Sequence, residues 1–242
     1  MAAIKISLIL GVAAGLANLF GAAIVSARAW SRPFLMYFIA LGSGFMLATA
    51  VIEMVPESLR QEPMQGAALI LVGYFIVHVF EHAFPAHFHF GEETHHEEFL
   101  NGRVAYSALG GLIVHTFFDG VAIVSGFLIS TWLGTVIFGA TILHNIPEGF
   151  TISSVMVAAG KTRGAGMKSA GLLGASRIAG ILAMGLAHRW VGYGLALSAG
   201  VTLYVAASDL IPEVNKTAGV RITLIVGTGV AMVALLKFLF FI

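Results

Sequence analysis

The chain contains no cysteine, which excludes disulfides and thiolate metal sites but leaves the compartment open. Charge is scarce too. Asp, Glu, Lys and Arg make up only 10% of the 242 residues, whereas soluble domains carry about 25%. A formal net charge of +1 offers no basic surface, so no nucleic-acid partner is expected. The short alternating segments of a membrane barrel are missing. So are the His-Glu-x-x-His stretch and Gly-x-Ser-x-Gly elbow of common hydrolases.

What remains is apolar. Hydrophobic residues form 58% of the chain and the mean hydropathy is +0.94. Apolar runs of about twenty residues suit helices crossing some 30 Å of hydrocarbon. The 29 glycines suit close helix–helix packing in lipid. The fold class expected is therefore all-α integral membrane, with lipid around it. Eight spans are predicted, at about 4–27, 33–57, 66–84, 103–129, 133–159, 168–187, 191–213 and 219–241. The first is longer than the core of a signal peptide and reads as a retained helix. Links are short, so residues 1–242 form a single transmembrane domain in which the distinctive loop is 85–102.

Lysines and arginines set the orientation. Arg28, Arg32, Arg103, Lys161, Arg163, Lys168, Lys216 and Arg221 gather on one side, against Lys5, Arg60, Arg189 and Lys237 on the other. The first set belongs in the cytoplasm. Both termini then lie outside, and the cell (inner) membrane is the expected location. His188, beside Arg189 and Trp190, reads as an outer interfacial anchor.

The chemistry concentrates in spans four and five. His115 and Asp119, and again His144 and Glu148, stand four residues apart, so each pair shares a helix face. Ionisable groups at that depth are costly and usually functional. Pro147 removes a backbone donor and favours a kink, freeing the Leu143 carbonyl. Imidazole nitrogen with carboxylate oxygen suits Zn²⁺, Fe²⁺ or Mn²⁺ better than Mg²⁺ or Ca²⁺. Two carboxylates also balance a divalent charge in a medium where an unpaired ion would be costly.

An internal echo accompanies them. Span two ends Glu53-Met-Val-Pro-Glu57 and span seven ends Asp209-Leu-Ile-Pro-Glu213. The two copies start on opposite sides, which makes an inverted 3+2+3 repeat, an architecture of many secondary transporters. These four acids are either ends of a path or interfacial helix ends paired with cations.

The ordered set resembles the ZIP family of divalent-metal transporters. It comprises His115-x-x-x-Asp119-Gly, His144-Asn-x-Pro-Glu148-Gly, Gly44-Phe-Met46-Leu-Ala and the two Pro-Glu endings. The resemblance, of the short-looped prokaryotic type, implies import of Zn²⁺, or of Fe²⁺, Mn²⁺ or Cd²⁺, into the cytoplasm. It implies a primary metal site of His115, Asp119, His144 and Glu148. Met46 stands at a neighbouring position, though packing is its commoner role. Some members hold a second ion, whose positions here are Thr116, Asn145 and Arg177. Where those members carry a glutamate followed by proline, this chain reads Ser176-Arg177-Ile178-Ala179-Gly180, a departure that opposes a two-metal centre. The guanidinium is expected near Asp119 or Glu148, holding the site to one ion.

Around these residues, His87, His89, His95 and His96 with Glu92, Glu93, Glu97 and Glu98 form either a chelating loop or a solvated linker. His78, Glu81 and His82 could pass ions to it. The rival functions are an intramembrane metal-dependent hydrolase and a metal sensor that does not transport. The expectation is a transporter, not an enzyme, with a divalent ion as substrate; a homodimer is compatible.

Overall fold

The computed structural model describes residues 2–27, 32–83, 102–215 and 219–241. Eight long helices account for nearly all of them, and no strand occurs among the described residues. They are α1 (Ala2–Ala27), α2 (32–61), α3 (Gly66–Ala83), α4 (Gly102–Ile129), α5 (Thr131–Ala158), α6 (Arg163–Leu186), α7 (191–215) and α8 (Val220–Phe241). Six helices are long and apolar enough to cross a membrane, and α3 contributes the shorter apolar stretch Gly66–Phe80. Helix α5 falls below that threshold because His144, Asn145, Pro147 and Glu148 interrupt its apolar sequence at mid-length.

Local chemistry explains the boundaries. Ser130 caps α5 by accepting the Leu133 amide at 3.1 Å. Thr162 caps α6 through the Ala165 amide at 3.1 Å. Such caps satisfy donors that the first helical turn leaves orphaned. Gly160, at φ 73°, takes the left-handed conformation that ends α5. Pro147 lies inside α5 and the helix continues through it.

Helices α2 and α7 each contain a six-residue π segment, Thr49–Met54 in one and Val205–Leu210 in the other. Each contains the first acid of its acid-x-x-Pro-Glu pattern and ends two residues before the proline. Single π turns mark functional sites often enough to be noticed, and finding them at equivalent positions is what the repeat demands.

Packing follows the same two-fold relation. Helix α1 packs on α5 as α6 packs on α4, and α2 packs on α8 as α7 packs on α3. Glycines let the backbones meet. A Cβ on Gly149 would strike the Asn18 carbonyl, and one on Gly120 would strike the Arg177 carbonyl. Likewise Gly21 faces the Ile146 carbonyl and Gly180 the Phe117 carbonyl. In the outer pairs, Gly44 lies on Val226 and Gly200 on Ile70. Where α1 meets α6, a Cβ on Gly15 would lie 3.4 Å from the Gly174 Cα. The inverted 3+2+3 arrangement is thus written in the contacts, with α4 and α5 as the central pair.

Candidate metal centre

Both His-x-x-x-acid faces turn inward, where α4, α5, α1 and α6 converge. His115, Asp119, His144 and Glu148 are all buried, between 2% and 6% exposed. Candidate ligand atoms of His115, Asp119 and His144 lie within 4.8 Å of one another. Asp119 Oδ2 is the hub, 3.2 Å from His144 Nε2 and 3.6 Å from His115 Nε2. The two imidazole centroids are 5.5 Å apart. His144 Nδ1 donates to the Ala140 carbonyl at 2.8 Å. That bond fixes the ring and leaves Nε2 aimed at Asp119, the outer-shell orientation metal-binding histidines need.

Glu148 stands beside this trio, joined to it through Arg177. Arg177 is fully buried. Its Nη2 lies 3.3 Å from Asp119 Oδ2 and 3.6 Å from Glu148 Oε2, so one guanidinium edge spans both carboxylates. It also donates to Asn145 Oδ1 at 2.9 Å and, through Nη1, to Asn18 Oδ1 at 3.1 Å. Asn18 in turn donates to Glu148 Oε2 at 2.7 Å. The other oxygen, Glu148 Oε1, is buried without a hydrogen bond, as is His115 Nδ1. A buried carboxylate oxygen without a donor is a strong acceptor waiting for a cation.

Other residues singled out from sequence take different places. Asn145 is committed on both ends, since its Nδ2 donates to the Ala14 carbonyl at 3.0 Å. It therefore braces Arg177 in this conformation. Thr116 bonds back to the Leu112 carbonyl at 2.9 Å and is likewise turned into its own helix. Met46 is fully buried and lines a small cavity with Asp119, His144, Thr49 and Thr202.

Of the four terminal acids, Glu53 is buried and lies 3.3 Å from Lys237 Nζ. Glu57 pairs with Arg60 at 2.5 Å. Asp209 is 5% exposed. The Glu213 side chain and the loop histidines His87, His89, His95 and His96 lie outside the described residues, as do the side chains of Glu81 and His82. His188 is exposed in a short turn between α6 and α7.

Asn18 escaped sequence reasoning. A lone asparagine in an apolar helix carries no motif, and its signal appears only when the repeats are aligned. Asn18-x-x-Gly21 in α1 occupies the place of Arg177-x-x-Gly180 in α6, each glycine seated on the opposite central helix. The same repeat position thus supplies a neutral amide on one side of the carboxylates and a cation on the other.

No curated protein matches the chain. The ZIP Zinc transporter family matches over residues 91–237, which takes in α4, α5 and α6 of the centre but not α1 or α2. Because that match spans more than half of the sequence and falls on the buried His-Asp-His cluster, the chain belongs to the ZIP zinc transporter family of divalent-metal transporters.

Proposed function

We propose that the protein moves one divalent transition-metal ion at a time across the membrane into the cytoplasm, Zn²⁺ foremost, through the centre on α4 and α5. The observation that carries this is the convergence of His115, Asp119 and His144 on a common point inside the bundle. Two nitrogens and a carboxylate oxygen make a borderline donor set of the kind Zn²⁺, Fe²⁺, Mn²⁺ and Cd²⁺ share. Glu148 joins as fourth ligand through its unbonded Oε1. The cavity beside the centre is bounded by Met46, Thr49 and Met54 of α2 and by Ile137, Ala140, Thr141 and His144 of α5. It therefore runs from the centre toward the α4–α5 link, the outer side in the orientation set by the basic loops. The equivalent route on the other repeat would run toward Asp209, giving a through-path that a sensor or hydrolase does not need.

Arg177 sets the stoichiometry. The two carboxylates and the guanidinium carry a formal charge of −1, which one divalent ion turns to +1. A second divalent ion would meet a cation and already neutralised acids in a low-dielectric site, where repulsion is severe.

Zn²⁺ flux into sealed vesicles holding the purified chain tests the reading. Alanine at His115, Asp119, His144 or Glu148 should each lower flux at least about tenfold, equivalent to losing about 1.4 kcal/mol of interaction with the ion, while the protein stays inserted. Full flux in the His115→Ala/His144→Ala chain would refute it. Tight Zn²⁺ binding without flux would favour a sensor.

A further inference from the structure

Helix α8 places Lys237 against the π segment of α2. Its ammonium donates to the Ile52 carbonyl at 2.8 Å and lies 3.3 Å from Glu53 Oε1. Trp132, at the start of α5, reaches the second carboxylate oxygen through Nε1 at 3.4 Å. Glu53 is 7% exposed, while the Lys237 side chain is 42% exposed and reaches inward from the rim. The aligned hydrogen bond of the ammonium goes to the carbonyl. Oε1 is held by charge alone, without a hydrogen bond of its own. A carboxylate and a carbonyl side by side are hard-oxygen donors for a cation. Here a flexible, monovalent one occupies them.

The position gives this cluster a task. Glu53 and Met54 are adjacent in one π segment, and Thr49 and Met54 line the cavity that reaches Asp119 and His144. Trp132 begins the helix whose Ile137, Ala140, Thr141 and His144 form the facing wall. Glu53 does not line the cavity itself but adjoins Met54, which does, and it contacts Trp132 at the α4–α5 link end of α5.

We propose that Glu53 and the Ile52 carbonyl form a second, outer cation site, and that Lys237 is a tethered competitor which closes it until a divalent ion takes the carboxylate. This rests on the transport reading above. A partly exposed ammonium is a weak partner, because solvent screens it and its long side chain gains entropy on release. A divalent ion gains twice the charge interaction with the same oxygen. Lys237 therefore yields to Zn²⁺ while resisting monovalent ions. It adds discrimination at the mouth that Arg177 repeats at the centre.

Two measurements decide it. The chain lacks cysteine, so Thr49→Cys introduces one thiol on the cavity wall, at a position fully buried in this structure, and a membrane-impermeant thiol reagent reads how readily this end opens. Lys237→Gln and Glu53→Gln should each raise its labelling rate about threefold, the scale of losing one partly exposed ion pair, while Lys237→Arg should label like the parent. In flux assays Lys237→Gln should lower the KM for Zn²⁺ about threefold, Glu53→Gln should raise it, and the double variant should match Glu53→Gln. An unchanged labelling rate in Lys237→Gln, or an unchanged KM, overturns the proposal. So does a Lys237→Gln effect that persists in the Glu53→Gln background. If the parent chain shows no flux at all, the transport reading falls, and the labelling rates alone still decide whether Lys237 closes this end.

Discussion

Replacing Arg177 by methionine removes the cation that spans Asp119 and Glu148 while keeping much of the side chain's apolar bulk. With Nη2 at 3.3 Å and 3.6 Å from the two carboxylates, each attraction is on the order of 5 kcal/mol at an effective dielectric constant of about 20, before desolvation is subtracted. The guanidinium is wholly buried, so desolvation offsets much of that. Removing one partner of a buried pair nonetheless costs about 3–5 kcal/mol, because the remaining charges are left uncompensated. Two further hydrogen bonds, to Asn18 and Asn145, vanish as well. Metal-free Arg177→Met protein should therefore unfold at markedly lower temperature than the parent. Zn²⁺ should then stabilise the variant more than it stabilises the parent, since the ion no longer competes with the guanidinium for the same oxygens. At roughly 100 times its Kd a ligand adds about 2.7 kcal/mol, enough to recover most of the loss. Thermal unfolding in detergent with and without Zn²⁺, together with titration of Zn²⁺ binding, measures both quantities. Equal stability without metal, or weaker Zn²⁺ binding in the variant, would refute the view that Arg177 stands in for an ion.

Arg177→Glu should go further and raise bound metal from one toward two per chain, read by elemental analysis of the purified protein; a count that stays at one would contradict the charge argument. Asn18→Ala should destabilise the metal-free protein by about 1–3 kcal/mol, the penalty of stripping a buried carboxylate of its donor, and denaturant unfolding would show it. Gly120→Ala and Gly180→Ala press a methyl into the Arg177 and Phe117 carbonyls, which should cost about 1–3 kcal/mol as overpacking. Gly111→Ala, with nothing within 4 Å of the new methyl, should be neutral or stabilising in the same thermal assay. Serine at His87, His89, His95 and His96 should leave flux intact and change only its dependence on metal concentration; loss of flux at normal expression would make the loop an obligatory part of the path.

The all-helical membrane class was legible in the sequence, because only helices and closed barrels hide backbone polarity in lipid and the alternating segments of a barrel are missing. The helix cores were legible for the same reason. Their ends were less so. The helix of span two, expected to end near Glu57, runs on to Gln61, and the π segments left no trace beyond the repeated acid-x-x-Pro-Glu pattern. Pro147 favours a kink by its sequence, and the helix continues through it within the single span expected, restrained by neighbouring helices on both sides. A single missing donor is not enough to end a helix packed that way.

In the centre, one-dimensional spacing determined that His115 with Asp119 and His144 with Glu148 would share helix faces, because a helix repeats every 3.6 residues whatever surrounds it. It determined too that Arg177 would stand where a guanidinium must find a counter-charge. Which atoms meet was a matter of tertiary packing alone. Glycine contacts between α1 and α5 and between α4 and α6 bring Asn18 and Arg177 to opposite sides of the carboxylates. They turn Asn145 toward Arg177 and set Asp119 at the hub of the trio. Lys237 and Glu53 lie 184 residues apart and meet only because α8 closes on α2. Spacing along one helix is local geometry, whereas partners on different helices are chosen by how closely the backbones can approach.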